Sequence, residues 1–262
     1  MKKVLLGLLL TASIAFGSHH FFFGVLSMVD TYVLVKSWDM DGTADYITVA
    51  DDASLDLTTA MSLEVVVDVP ASPGGLIGPI SKRDTNNHSW RLYVSNSTGY
   101  LHTTVWNSVA NDTVFKEYVV ETDLRGAKHQ FGFIWDNGTL TVIVDGAAPT
   151  VSMPSDDAFT SIGNSSVDIK VGASTNSGSP FRFWDGKIGR ALIWSTVLTT
   201  ANYTSMWNSG NLDVNPTMFG TTVMALLMEV GDTTAADGVI DASGNANHGS
   251  TVSMVDGDLI DF

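Results

Sequence analysis

Apolar residues recur at every second position over many short stretches of this chain, and a period of two belongs to strands. Leu63, Val65, Val67 and Val69 alternate with their neighbours, as do Trp90, Leu92 and Val94, then Leu101, Thr103 and Val105. Phe131, Phe133 and Trp135 run through Asp136-Asn137-Gly138 into Leu140, Val142 and Val144, a hairpin pattern that stops at Asp145-Gly146. Ile47 with Val49, Ile169 with Val171, and the run 223–230 add strands. After the turn dipeptide Asp185-Gly186, Ile188, Leu192 and Trp194 fall at even spacing. The segments 70–79, 81–89 and 152–166, rich in proline, glycine or polar residues, read as loops. One short helix is predicted near 199–208: Thr199 or Thr200 caps it, Tyr203 and Trp207 lie four apart on one face, and Gly210 ends it.

Composition supports many strands joined by many reversals. Glutamate occurs only at Glu64, Glu117, Glu121 and Glu229, whereas aspartate, asparagine and glycine, which favour turns, are abundant. The 262 residues suffice for one large β domain and do not force two. A net charge of -15, with lysine and arginine scattered singly, excludes a nucleic-acid partner, which would need a basic stripe. The acidity fits either solubility in a salty medium or a calcium-dependent surface protein. Without cysteine there is no disulfide framework, thiol nucleophile or cysteine metal site.

Lys2 and Lys3 precede an apolar run from Val4 to Phe16, and Ala15-Phe16-Gly17 offers small residues where a signal peptidase cuts. Residues 1–17 therefore read as a signal peptide or as a retained apolar N-terminal segment, too short to span a bilayer as a helix. The remaining 18–262 would be a single secreted, extracellular or cell-surface domain with no membrane span. The apolar runs 21–29 and 31–35 read as a first strand or strand pair.

The most suggestive side chains fall in 90–106. With Trp90, Leu92, Val94, Leu101 and Val105 facing a core, Arg91, Tyr93, His102 and Trp106 share the opposite face of one sheet. Flat rings beside hydrogen-bonding groups suit a sugar, whose ring has an apolar face and a polar edge. Trp184 is a fifth candidate for this platform, and Arg91 and His102 would bind hydroxyls or an acidic sugar. The structural alternative is cross-strand pairing that stabilises the sheet.

The order of motifs resembles the laminin-G-like and pentraxin-like domains of the concanavalin A-like lectin/glucanase superfamily. The stretches that carry it are Trp38–Val67, Pro79–Val94, His129–Gly146, Ser166–Ser174 and Trp184–Asn211. The resemblance implies an all-β fold, a two-sheet antiparallel jelly-roll sandwich. Asp241, Asn245, Asn247 and Gly249 match a phrase that opens many laminin-G-like modules; it comes last here, so the strands of about 220–262 are expected to complete the sandwich. The segment 81–89 is similar to a pentraxin stretch that supplies an acid and an amide to calcium. That implies Asp84 and Asn86 as ligands of a single Ca2+, with Asn176 as the best further oxygen. The cluster Asp39, Asp41 and Asp45 reads as a turn ahead of a metal site.

Related glucanases carry two glutamates on one strand with an aspartate between them; Glu64 has no such partners, and Tyr-Val-Val separates Glu117 from Glu121. These residues argue against a glycoside hydrolase. The expected function is a non-catalytic, surface-exposed carbohydrate-binding and adhesion module whose partner is a glycan or cell-surface polysaccharide. The alternative is a structural virion or appendage protein, a decoration, fibre or filament subunit, packed against other subunits on a virion surface.

Overall fold

Strands dominate because β-branched and aromatic residues in alternation bury one side chain in two against a second layer. The computed structural model describes residue 34 and residues 36–108, 113–228 and 232–262. The segments 1–17 and 21–29, and 31–35 apart from Leu34, lie outside the described residues.

The strands begin with β1 (Lys36–Asp41), β2 (Tyr46–Val49), β3 (Ala60–Val69), β4 (Ile77–Asp84), β5 (Asn87–Val94) and β6 (Leu101–Trp106). Next come β7 (Phe115–Val120), β8 (Ala127–Asp136), β9 (Thr139–Val144), β10 (Ser152–Asp156), β11 (Ile169–Val171) and β12 (Ser174–Asn176). After β13 (Ser179–Phe181) and β14 (Asp185–Trp194) come the helix α1 (Thr200–Trp207) and the strands β15 (Thr222–Leu226), β16 (Gly249–Val252) and β17 (Leu259–Asp261).

They form two large antiparallel sheets, the sandwich expected from the sequence. One has seven strands in the order β17-β1-β14-β3-β8-β9, with β15 also paired to β14; the other has eight, β10-β7-β6-β5-β4-β11-β2-β16. β12 and β13 make a separate ribbon. The last three strands divide between the sheets, β15 and β17 joining the first and β16 the second.

Between the sheets, Trp90, Leu92 and Val94 of β5 meet a layer that includes Leu63, Val65 and Val67 of β3 and Phe131, Phe133 and Trp135 of β8. Trp90 packs edge-on against Phe133 with ring centroids 6.1 Å apart. Each such buried side chain contributes about 1.5–3 kcal/mol of transfer free energy, so the core can stabilise the fold without disulfides.

A second apolar layer lies on the outer face of the seven-stranded sheet. There α1 lays Tyr203 and Met206 over Leu192, Trp194, Ile134 and Ile143. Thr199 caps the helix reciprocally with Asn202, the helix ends at Asn208 with φ 41°, and Gly210 two residues on is also left-handed, with φ 87°. Beneath it Arg190 donates to both oxygens of Glu64, at 2.8 and 3.1 Å, and to the carbonyl of Met206. Gln130 also donates to Glu64, and both charged residues are fully buried.

Three segments depart from expectation. The segment 81–89 is a hairpin: β4 and β5 pair through Asp84 and Asn87, leaving only Thr85 and Asn86 in the turn. β10 falls within 152–166 and pairs with β7 at the edge of its sheet. β4 begins at Ile77 and includes Pro79, which has no N–H for a ladder; a register shift between Ile77 and Ile80 absorbs it.

The turn at Asp39, Asp41 and Asp45 is organised by hydrogen bonds. Asp41 accepts from the backbone N–H groups of Thr43, Ala44 and Asp45 and from the Thr43 hydroxyl. Burial pushes the Asp41 carboxyl up, but these donors outweigh it and bring it to about 2. A carboxylate with a folded pKa below its unfolded one contributes stability above the unfolded value and loses it as pH falls through the folded one. Wild type should therefore lose this contribution between pH 3.8 and about 2. In acid titrations followed by fluorescence, Asp41→Ala should be less stable than wild type at pH 7 and converge with it near pH 2. A constant offset down to pH 2 would overturn this account.

Candidate functional site

The outer face of the eight-stranded sheet holds four of the five platform candidates. Register pairs Arg91 with Thr104 and Tyr93 with His102 between β5 and β6, then Thr104 with Glu117 and Trp106 with Phe115 between β6 and β7. Strand alternation sends all of these side chains away from the core. Tyr93 and His102 stack at 4.4 Å, 15° from parallel. Arg91 lies over both Tyr93, at 4.7 Å, and Trp106, at 5.2 Å.

Four residues that the sequence did not single out as ligand-binding complete the group. Arg83, from the end of β4, lies 5.5 Å from the Trp106 ring, and His88 stacks on that ring at 5.1 Å. Arg182 follows β13 and sits 4.8 Å from the Tyr93 ring; its carbonyl accepts from Gly78 N–H, which fixes it beside β4. Glu117 of β7 accepts from the Tyr93 hydroxyl at 2.9 Å and pairs with His102 Nδ1 at 3.3 Å. Arg83 and His88 were hidden in a segment read as loop. Glu117 was weighed only as a hydrolase residue, although Phe115, Glu117 and Val119 fall two apart on one strand face.

The rings are off the core but are not open to solvent. Tyr93 is 9% exposed and Trp106 4%, because guanidinium groups and histidines cover them. The flat exposed platform expected from sequence is thus an aromatic floor under a cationic layer. Trp184 does not belong to it: the side chain is fully buried within the central core, where the chain enters β14.

Arg83, His88, Arg91, Thr104, Trp106, Phe115 and Glu117 line a hollow of about 370 Å³. A second hollow, about 390 Å³, lies beside Arg182 and includes Gly74, Gly75, Phe183 and Asp185. Both volumes fall within the range of small-molecule sites. Burial, followed by the charges of Arg182 and Arg83, holds Arg91 down at about 10. Burial and then Glu117 push Tyr93 up to about 12, so its hydroxyl stays a donor. The hydrogen bond with His102 keeps Glu117 below the usual carboxylate range despite burial.

The loops carrying Asp84 and Asn176 do meet, but their polar groups satisfy each other. Asp84 accepts from the N–H groups of Thr85 and Gly178, and Thr85 donates to Asn176. Asn86 is an exposed turn residue with φ 58°. No group of three or more acidic or histidine side chains suited to a metal ion occurs among the described residues. This donor set does not fit a calcium site, because the one carboxylate of the set, Asp84, is already engaged by backbone N–H groups and the rest of the set supplies no second. Among the described residues no helix is long and apolar enough to cross a membrane.

A comparison with curated proteins finds no match. Among solved structures, a Bacteroides ovatus protein described as carbohydrate-binding aligns with a TM-score of 0.60 at 15% identity, over 87% of this chain and 62% of that one. This chain therefore spans less than two thirds of that protein's length. A heptameric pentraxin of Limulus polyphemus aligns at 0.43 and 13% identity, over 67% and 87% of the two chains. The CBM40 domain of a Ruminococcus gnavus sialidase, solved with sialyllactose, aligns at 0.47 and 12%, over 66% and 98%. Residues 41–202, more than half of the chain, match a laminin G family described as the concanavalin A-like lectin/glucanases superfamily, and the chain belongs to that family.

Proposed function

We propose that this protein is a non-catalytic carbohydrate-binding module that takes a glycan on the outer face of its eight-stranded sheet. The observation that carries the reading is the grouping of Tyr93, Trp106, His102, Arg91 and Glu117 around one hollow on the outer face of the eight-stranded sheet. Arg91 supplies N–H donors, Glu117 an acceptor, and the edges of Trp106 and Phe115 apolar contact, which matches the alternating polar and apolar character of a sugar. The fold shared with the Bacteroides ovatus protein supports the reading as an analogy only.

Hydrolysis is disfavoured by the same geometry. Glycosidases use two carboxyl groups across the scissile bond, one of them kept protonated by a raised pKa. Among the described residues Glu117 is the single carboxylate lining this hollow, and it is shifted the other way. Glu121 lies past the end of β7 and is exposed.

A glycan array followed by calorimetry tests the proposal. Trp106→Ala and Arg91→Ala are each expected to weaken binding of the best ligand at least tenfold, roughly 1.4 kcal/mol. Thermal unfolding would confirm that each variant is folded. No binding to any glycan, or binding untouched by both substitutions, overturns it.

A further inference from the structure

Three of the chain's five arginines, Arg83, Arg91 and Arg182, stand on this one face of a protein with net charge -15. The other two pair with carboxylates, Arg125 with Asp123 and Arg190 with Glu64. Carboxylates are plentiful in this chain, yet no ion pair among the described residues includes Arg91 or Arg182. Arg91 makes one long hydrogen bond, from Nε to the Thr104 hydroxyl at 3.4 Å. Glu117 already accepts from Tyr93 and His102. Arg182 Nη1 is buried and has no hydrogen-bond partner among the described residues. Its backbone is held at φ 56°, a left-handed conformation that is costly for a side chain of this size and that persists where the surroundings impose it.

Two guanidinium groups thus flank one tyrosine ring, at 4.7 and 4.8 Å, and among the described residues no carboxylate is in hydrogen-bond contact with either. Like charges held together are destabilising, and an anion between them would relieve the repulsion. Guanidinium favours planar, two-oxygen acceptors, since its paired N–H groups match a carboxylate.

We propose that the ligand is an acidic glycan, whose sugar carboxylate docks between Arg91 and Arg182 beside Tyr93 while adjoining sugar units extend into the hollow walled by Trp106. This rests on the carbohydrate-binding reading above and adds the charge of the sugar. The depressed Arg91 value agrees with it, because an anion would offset the penalty that burial and then the charges of Arg182 and Arg83 impose. The overall negative charge repels long polyanions, so selectivity must arise within about one Debye length, ~8 Å at physiological salt, and short oligomers are the better probes.

The test uses calorimetry on the full chain with trimers of galacturonic, glucuronic and mannuronic acid, their methyl esters, neutral trimers of the parent hexoses, and sulfated neutral trimers. At least one acid trimer is expected to bind ten times more tightly than its own methyl ester. Arg91→Gln and Arg182→Gln should each abolish that tenfold preference while leaving weak binding of the ester. Arg182→Lys, which keeps the charge without the planar fork, should retain only part of it and serves if the glutamine variants fail to fold. Equal affinity for acid and ester, or a preference confined to the sulfated trimers, overturns the proposal while the carbohydrate-binding reading stands. Absence of binding to every trimer, together with a blank glycan array, overturns both.

Discussion

Replacing Arg190 with methionine is expected to lower stability by about 3–5 kcal/mol, read from urea unfolding followed by tryptophan fluorescence. The substitution fills most of the volume, so the cost is electrostatic: Glu64, fully buried, would keep only the amide of Gln130 for its charge. Glu64→Gln should be comparably damaging, because it leaves the guanidinium charged under α1 with one neutral acceptor replacing two anionic oxygens. The pair itself need not favour stability, since desolvating two charges opposes their attraction. Glu64→Leu combined with Arg190→Met should therefore recover most of the loss, and a double-mutant cycle should show strong coupling. Single substitutions costing less than about 1 kcal/mol, or losses that simply add, would show that the charges are not isolated from water.

The strands of the central sheets were legible in the sequence because apolar residues recur at every second position through β3, β5, β6, β8 and β9, and these form the inner face even where the outer face is buried as well. That same alternation placed Arg91, Tyr93, His102 and Trp106 on one outer face, as register confirms. β14 shows where the signal failed. Ile188, Leu192 and Trp194 read as one face, but a register shift between Ile188 and Arg190 inserts a residue. Ile188 consequently faces the central core while Leu192 and Trp194 face α1, with Ala191 and Ile193 taking over the core side. A bulge preserves composition and changes only parity, so hydrophobicity cannot report it. From Ala191 to Trp194 both faces of β14 are apolar, which removes the remaining clue. Trp184 was misplaced for a related reason: it precedes the strand, where alternation gives no side. Arg182 had no sequence signal because a left-handed residue after β13, not a strand period, sets its direction. Part of the cover over the rings was equally invisible: Arg83 fell in a segment read as loop, and Arg182 comes from the segment after β13, far from β5 in sequence.

The two sheets divide the work, and Gly132 offers a way to test that division. It lies in β8 opposite Glu64 of β3, directly under α1. A Cβ there would stand 2.4 Å from the Leu63 carbonyl oxygen and 2.9 Å from the Tyr203 ring. The ring could swing away only by losing the hydrogen bond from its hydroxyl to Leu63 O, 2.8 Å long; the carbonyl could move only if β3 and β8 separated. Gly132→Ala should thus cost about 3 kcal/mol, at the upper end for overpacking, because the nearest obstacle is backbone. Adding Tyr203→Leu should not restore the loss, since the carbonyl clash persists. The candidate glycan face is on the opposite side of the sandwich, beyond the whole core layer between the sheets. Measured at a temperature where Gly132→Ala remains folded, glycan affinity should match wild type within a factor of two. A tenfold loss at full folding would mean that α1 and the seven-stranded sheet shape the recognition face, and the separation of scaffold from site would fail.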